Sequence, residues 1–381
     1  MRICYVCADP GIPVFGSKGA SIHVQAVLTE LLNRGHEVSL LTPRPDGEST
    51  AVAVHQLPPV RGSETAERER SAQHSDAAIA AQLDRLDPHL VYERYSLWGA
   101  TATSWAVERG VASILEVNAP LVEEQAAYRQ LVDRAGAERV ARQAISVAGA
   151  VVCVSDPVAD WARSRAAHPG RVHTLPNGVD TDRIVPAARP VAPADAPEFT
   201  VGFVGTLKAW HGLEVLVAAM AELIRTDPSW RLLIVGDGPL RAVVERLAAD
   251  LGIDHRVSLT GAVPAGGVVA HLHRMDLATA PYPQQECYFS PLKVYEYLAA
   301  GLPVVASAVG QLPDALEHGR LGVLVPAGDA AALAAALQAL RLDQATRSRL
   351  REQSRQTALE RYTWRSVVDR ALALTEPVGI R

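Results

Sequence analysis

Short apolar runs recur along the chain, separated by segments whose apolar positions return with helical spacing. In the first half RICYVCA, VSLLT, LVYERY, ASILEV and AVVCVS read as buried strands. In the second half TVGFVG, RLLIVG, RVSLTG, LATAPY, PVVAS and GVLVP do the same. Between them, SIHVQAVLTELLNRG carries an apolar stripe at Ile22, Val24, Val27, Leu28, Leu31 and Leu32, with Ser21 predicted to cap its start and Gly35 its end. Such alternation predicts an α/β protein with parallel sheets covered by helices on both faces. The stretch VPAARPVAPADAPEF has no periodicity and is dense in proline, which predicts a semi-rigid linker. Two Rossmann-like domains follow, residues 1–185 and 199–360, with 186–198 between them. A last helix opened by Thr363, within 363–381, is expected to pack back onto the first domain. Open parallel sheets bind ligands at the carboxyl ends of their strands, so two facing sheets would enclose an interdomain cleft.

Length supports this division: 381 residues are long for one core. The chain is 48% hydrophobic and 21% charged with a formal net charge of −5, the profile of an ordinary globular protein and not of one that coats nucleic acid or anionic membrane. MRICYVCADPG does not read as a leader, and no apolar span approaches the roughly 18 residues of a membrane helix. A cytoplasmic protein, at most peripheral to a membrane, is expected. Cys4 and Cys7 form a C-x-x-C pair, but both fall inside the first strand. Residues three apart in a strand point to opposite faces, so inert buried thiols are expected, not a metal or redox pair.

Chemistry concentrates around the lysines. Only Lys18, Lys208 and Lys293 occur among 37 basic residues, and each lies in a turn-like segment rich in glycine or proline, GSKGAS, GTLKAWHG or FSPLKVYEYLAAG. A compact, flexible ammonium beside free backbone N–H groups suits phosphate. In GTLKAWHGLEVL, Lys208 and His211 lie between a strand end and a helix start, an anion site or a plain strand-to-helix turn. Ser290 and Pro291 are predicted as N-cap and first residue of a helix that places Lys293 and Glu296 on one face. An exposed ion pair would explain those two; so would a phosphate contact beside an acceptor for a ribose diol.

Taken together, GFVGTLKAWHGLEVL, LLIVGDGPLR, VSLTGAV and SPLKVYEYLAAGLPVVAS, with GSKGASIHV, EVNAPLVEE, VSDPVADW and LPNGVDTDRI, resemble the retaining family 4 glycosyltransferases, which have the GT-B fold. The resemblance covers most of the chain in family order. It implies metal-independent, retaining transfer of a sugar from a nucleotide-diphosphate donor, UDP-linked in the first instance, to an acceptor hydroxyl, with no cofactor. Glu296 matches the glutamate that binds donor ribose. Phe289, Ser290, Pro291 and Leu292 match the segment that meets donor phosphate and sugar. Gly261, Ala262 and Val263 match the loop that reads the base through its backbone, and Gly16 to Gly19 the loop that closes over the donor. Lys208 and Lys293 are the expected cations for the leaving diphosphate. The chain departs from the family in having Tyr288 where a glutamate is common, Thr206 and His211 where Arg and Lys are common, and Asn118 where a histidine is common. Lys18, His23 and Asn118 are candidates for the acceptor side; a solvent-exposed loop lysine and a helix-surface histidine are the plain alternatives.

Other motifs carry less. Asp180 to Asp182 imitate a metal-binding D-x-D but follow PNG in a family turn. His271 and His273 lack further ligands, no G-x-G-x-x-G turn follows the first strand, and Asp237 reads as a turn residue. No metal site is expected. The rival functions are a GT-B nucleotide-sugar epimerase and a non-catalytic sugar-nucleotide-binding protein. The acceptor stays open among glycan, lipid-linked sugar and small natural product.

Overall fold

The computed structural model describes residues 1–16, 18–47, 51–284, 288 and 290–375. The chain forms two compact units. One comprises Met1–Asn177, Tyr288–Ser290 and the C-terminal segment from Trp364; the other comprises Gly178–Cys287 and Pro291–Thr363.

The first unit is built on a seven-stranded sheet of β1 (Arg2–Cys7), β2 (Glu37–Thr42), β3 (Ala53–Gln56), β4 (Leu90–Arg94), β5 (Ala112–Val117), β6 (Ala150–Cys153) and β7 (Val172–Thr174). All pairings are parallel, in the order β3-β2-β1-β4-β5-β6-β7. The apolar runs marked the inner strands; β3 and β7, short and partly polar, are the two edges. Along β1, Ile3, Tyr5 and Cys7 pack with Val24, Val27, Leu28 and Leu31 of helix Gly19–Asn33. Cys4 and Val6 face the other way, against Ile79, Leu83, Ala102 and Ala106. Cys4 and Cys7 therefore stand on opposite faces, unbonded, and burial pushes both thiols up to about 12. Helix Gly19–Asn33 begins before Ser21, with Lys18 at its N-cap; the Ser21 hydroxyl instead donates to Pro13 O at 2.6 Å. Gly35 ends that helix at φ 73°, a left-handed position that glycine occupies without strain.

The second unit's six-stranded sheet comprises β8 (Phe199–Val204), β9 (Trp230–Val235), β10 (Val257–Leu259), β11 (Leu277–Ala280), β12 (Val304–Ser307) and β13 (Gly322–Val325). Its order is β10-β9-β8-β11-β12-β13, again all parallel. Phe199, Val201 and Phe203 of β8 pack against Leu216, Met220 and Leu223. The proline-rich segment 186–198 lies in this unit. Its carbonyls, which the prolines leave without a ladder, accept from Arg351 at Ala187, Arg347 at Ala192 and Arg341 at Ala194.

Helix Trp364–Ala373 is part of the first unit. Trp364 stands edge-on to the His23 ring with centroids 4.7 Å apart, while Arg34 pairs with Asp369 at 2.6 Å. His23 in turn meets Glu116 Oε2 at 2.9 Å, where Tyr92 also donates at 3.1 Å. Arg94 and Asn118 donate to Glu116 Oε1 at 2.9 and 2.6 Å. Burial alone would raise the Glu116 carboxyl, but His23, Arg94 and Asn118 outweigh it and hold it at about 2, against an ordinary 4.5. The folded value is depressed, so this contribution is complete above pH 4.5 and is lost as pH falls toward 2. Glu116→Gln should cost about 3–5 kcal/mol by leaving Arg94 buried without its charge partner, and should flatten the acid limb of stability. Trp364→Ala should cost about 3–5 kcal/mol, read as a shift of the first unit's transition in urea. A shift below about 1 kcal/mol would show that the C-terminal helix is not integral to that unit.

Candidate functional site

In the second unit, β8 delivers its chain to Gly205, whose φ of 143° and lack of a side chain allow a close approach: a Cβ there would lie 3.0 Å from Lys293 Nζ. Beyond it, Leu207 N donates to Asp237 O at 3.0 Å and Leu207 O accepts from Leu240 N at 3.1 Å, which staples the loop to the turn after β9. Asp237 itself accepts from Gly238 N at 2.8 Å, the turn role expected of it. Gly212, at φ 65°, starts helix Leu213–Thr226 where any Cβ would collide with Pro281 O.

Helix Leu292–Ala299 brings Lys293 to this loop. The helix starts one residue later than the sequence suggested: Pro291 occupies the N-cap, and Ser290 Oγ accepts from Asn177 N at 3.2 Å in the first unit. Lys293 Nζ lies 4.0 Å from the Phe203 ring centroid and 5.2 Å from that of Tyr282. It is buried and has no hydrogen-bond partner among the described residues. Burial drives its pKa well below the ordinary 10.5, with Glu296 opposing only in part. Tyr297, on the same helix, pins the strand end by accepting from Val204 N at 2.8 Å.

Lys208 Nζ sits over the Trp210 ring at 4.7 Å. His211 packs against Phe203 and Tyr282, both with centroids 5.5 Å away, and its Nδ1 lies 2.6 Å from Thr206 O. A carbonyl only accepts, so Nδ1 carries the proton. Burial, then the ammonium of Lys293, lower His211 to about 3 against the Thr206 bond, and Lys208 adds to this. Both lysines thus bear on one neutral imidazole, and the loop holds Thr206, Lys208, His211 and Lys293 together.

Glu296 faces a residue that the sequence reading passed over. Arg183 NH2 lies 3.7 Å from Glu296 Oε1, and its NH1 donates to Ala265 O at 2.9 Å. Burial raises the Glu296 carboxyl while Arg183 and Lys293 oppose it. Arg183 follows the D-x-D lookalike, whose Asp180 accepts from Arg183 N at 2.9 Å. The signal available was its place in LPNGVDTDRI, but nothing local names its partner. Gly261, ahead of Ala262 and Val263, bridges Gly236, where a Cβ would meet Gly205 O. The turns after β8, β9 and β10 are therefore in contact.

The first-unit candidates lie as follows. Gly16 N donates to Pro13 O and Gly16 O accepts from Gln25, at 2.9 and 2.8 Å, so the turn ahead of Gly19 is braced by the helix it precedes. Lys18 is exposed, with Nζ 3.4 Å from Gly11 O. His23 is 5% exposed and not on the helix surface; it and Asn118 converge on Glu116. Tyr288 donates to Glu124 Oε2 at 2.9 Å, and its carbonyl accepts from Ser155 Oγ. Phe289 lies outside the described residues, as does Ser17 of the Gly16–Gly19 loop. No group of three or more His, Cys, Asp or Glu side chains is placed to hold a metal among the described residues.

Comparison with known proteins agrees with this arrangement. Residues 198–343 match the model of glycosyl transferases group 1, and residues 17–183 match glycosyltransferase family 4. A GDP-mannose-dependent alpha-(1-6)-phosphatidylinositol monomannoside mannosyltransferase of Mycolicibacterium smegmatis is 30% identical over 280 residues, covering 68% of this chain and 72% of the relative. A D-inositol 3-phosphate glycosyltransferase of Corynebacterium efficiens is 27% identical over 93% of this chain and 89% of its own length. In fold, the sucrose-phosphate synthase of Thermosynechococcus elongatus superposes with a TM-score of 0.74 at 23% identity, covering 98% of both chains. The Anabaena HepE structure with UDP and glucose superposes at 0.69 and 16% identity, also covering 98% of both chains. With two Rossmann-like parallel sheets, family matches in both halves and relatives along most of its length, the chain belongs to the family 4, group 1 glycosyltransferases of the GT-B fold.

Proposed function

We propose that this glycosyltransferase is a retaining, metal-independent enzyme that moves a hexosyl group from a UDP-sugar to an acceptor hydroxyl, with the donor in the second unit and the acceptor in the first. The observation that carries the donor half is Lys293. A buried ammonium without a hydrogen-bond partner among the described residues is costly until an anion arrives, and the loop beside it presents Lys208 and the Gly205 turn. A diphosphate satisfies both cations at once. Glu296, steadied by Arg183, supplies carboxylate oxygens for the ribose diol. In the transfer, the bond from the anomeric carbon to the phosphate oxygen breaks and its electron pair stays on the phosphate. The acceptor oxygen bonds to the anomeric carbon on the same face, and its proton passes to the leaving diphosphate. Lys208 and Lys293 stabilise the charge that develops there. His211, held neutral, adds no third cation.

UDP is the first choice of nucleotide. The HepE structures with UDP support it, whereas the M. smegmatis relative is named for GDP-mannose. Gly261, Ala262 and Val263 would read the base through backbone groups, and Tyr288, in place of the common glutamate, bears on which sugar is accepted. No helix among the described residues is long and apolar enough to cross a membrane; a cytoplasmic location belongs to the same proposal.

Incubation with UDP-, TDP- and GDP-hexoses, with and without hydroxyl acceptors, tests the reading. Nucleotide release that requires acceptor is expected, and it should persist in EDTA. Acceptor-free isomer formation would point to an epimerase, and binding without turnover to a carrier. Lys293→Met should lower kcat by about 10²–10³-fold while raising the thermal stability of the ligand-free protein, since a buried amine without a hydrogen-bond partner among the described residues is removed. Wild-type kinetics in that variant would take Lys293 out of the mechanism.

A further inference from the structure

The first unit contains a cavity of about 520 Å³, large enough for a sugar or a small glycoside. Ala8 and Asp9 after β1 and Ser96 to Trp98 after β4 form part of its wall. Helices Thr65–Ala77 and Leu121–Tyr128, with Val60, Arg129 and Gln130 outside them, complete it. Its charge is uneven: Asp9, Glu69, Asp76 and Glu124 face Arg68 and Arg129, four carboxylates against two guanidiniums, a formal balance of −2. Arg68 is engaged by Ser63 O and Thr65 Oγ1, both at 3.2 Å. Glu69 accepts from Val132 N and Asp133 N at 2.8 and 3.0 Å, and Glu124 accepts from Tyr288. Those donors are neutral, so they orient the carboxylates without cancelling their charge.

Two polar groups in the wall have capacity to spare. Asp76 is 7% exposed; its Oδ2 accepts from the Thr101 N–H and hydroxyl at 3.1 and 2.6 Å, but Oδ1 has no partner among the described residues. Ser96 is 5% exposed, and its hydroxyl makes no hydrogen bond among the described residues. Beside them Trp98, Leu97 and Leu121 offer an apolar surface of the kind that covers the C–H face of a sugar or cyclitol ring.

We propose that this cavity takes the acceptor as a cyclic polyol bearing a protonated amino group, and that it discriminates against phosphorylated acceptors. The proposal rests on the transferase reading above and names its acceptor class. A ring hydroxyl pairs with Ser96 Oγ, the ammonium is drawn by the excess of carboxylates, and Trp98 covers the ring. A phosphate dianion would take the local charge from −2 to −4 in a half-enclosed space, against two guanidiniums of which Arg68 is already bonded to Ser63 O and Thr65 Oγ1.

The test uses the full chain, a donor whose binding is first established by thermal shift, and three probes on one skeleton: glucosamine, glucose and glucose 6-phosphate. Acceptor-dependent nucleotide release should rank glucosamine above glucose by about tenfold in kcat/KM, with glucose 6-phosphate lowest. Raising the pH until the amine is neutral should bring glucosamine down to glucose. Asp9→Asn keeps an oxygen for the Gly11 N–H that Asp9 now accepts at 2.7 Å, and it should narrow the ranking while leaving donor binding intact. Equal use of the three, preference for the phosphate, or use of none with donor bound overturns the acceptor class alone. Absence of donor binding overturns the transferase reading with it.

Discussion

The second unit is organised around one ammonium group held out of water. Lys293 Nζ lies against Phe203 and Tyr282 with no acceptor in reach among the described residues, and aromatic faces return only part of what desolvation costs. The turns around it are closely packed. Gly205 has no side chain because one would crowd Nζ, Gly236 has none because one would strike Gly205 O, and Gly212 has none because one would strike Pro281 O. Tyr297 fixes the end of β8 from the helix that carries Lys293. These substitutions are forbidden by packing, yet the arrangement they protect is an unfavourable one for the ligand-free fold. Strain of this kind persists where binding relieves it.

The first unit offers the opposite case. Glu116 is buried too, but His23, Tyr92, Arg94 and Asn118 fill both of its oxygens, and its carboxyl is held at about 2. A satisfied buried charge organises a core and ties helix Gly19–Asn33 to Trp364; it has nothing left to offer a ligand. The cavity bounded by Asp76, Ser96 and Trp98 differs in having an unpartnered carboxylate oxygen, Asp76 Oδ1, in its wall.

The sequence disclosed most of the sheet strands because parallel strands buried on both faces read as apolar runs. It disclosed the loop around Lys208 and Lys293 because lysines are scarce in the chain and both of these lie in segments rich in glycine or proline. Ala53–Gln56 and Val172–Thr174 were not legible: edge strands keep one side open, so AVHQ and VHT show no run. Helix starts were misplaced by three residues at Ser21 and by one at Ser290, because a serine next to a helix can hydrogen-bond elsewhere, here to Pro13 O and Asn177 N. Arg183 and Glu116 were missed for another reason. Each acquires its meaning from partners distant in sequence, Glu296 for one and His23 for the other, and no local pattern announces such a pair. His23 read either as an acceptor-side candidate or as a helix-surface histidine; Glu116 and Trp364, both distant in sequence, bury it instead.

Binding of UDP between pH 7 and pH 10, by calorimetry on the wild type and on Lys293→Met, addresses the central claim most directly. If a buried ammonium is completed by the diphosphate, wild-type affinity falls with rising pH as that group loses its proton, and the variant binds more weakly with a flatter profile. Equal affinity of the two proteins across the range, with the same pH dependence, would contradict the account.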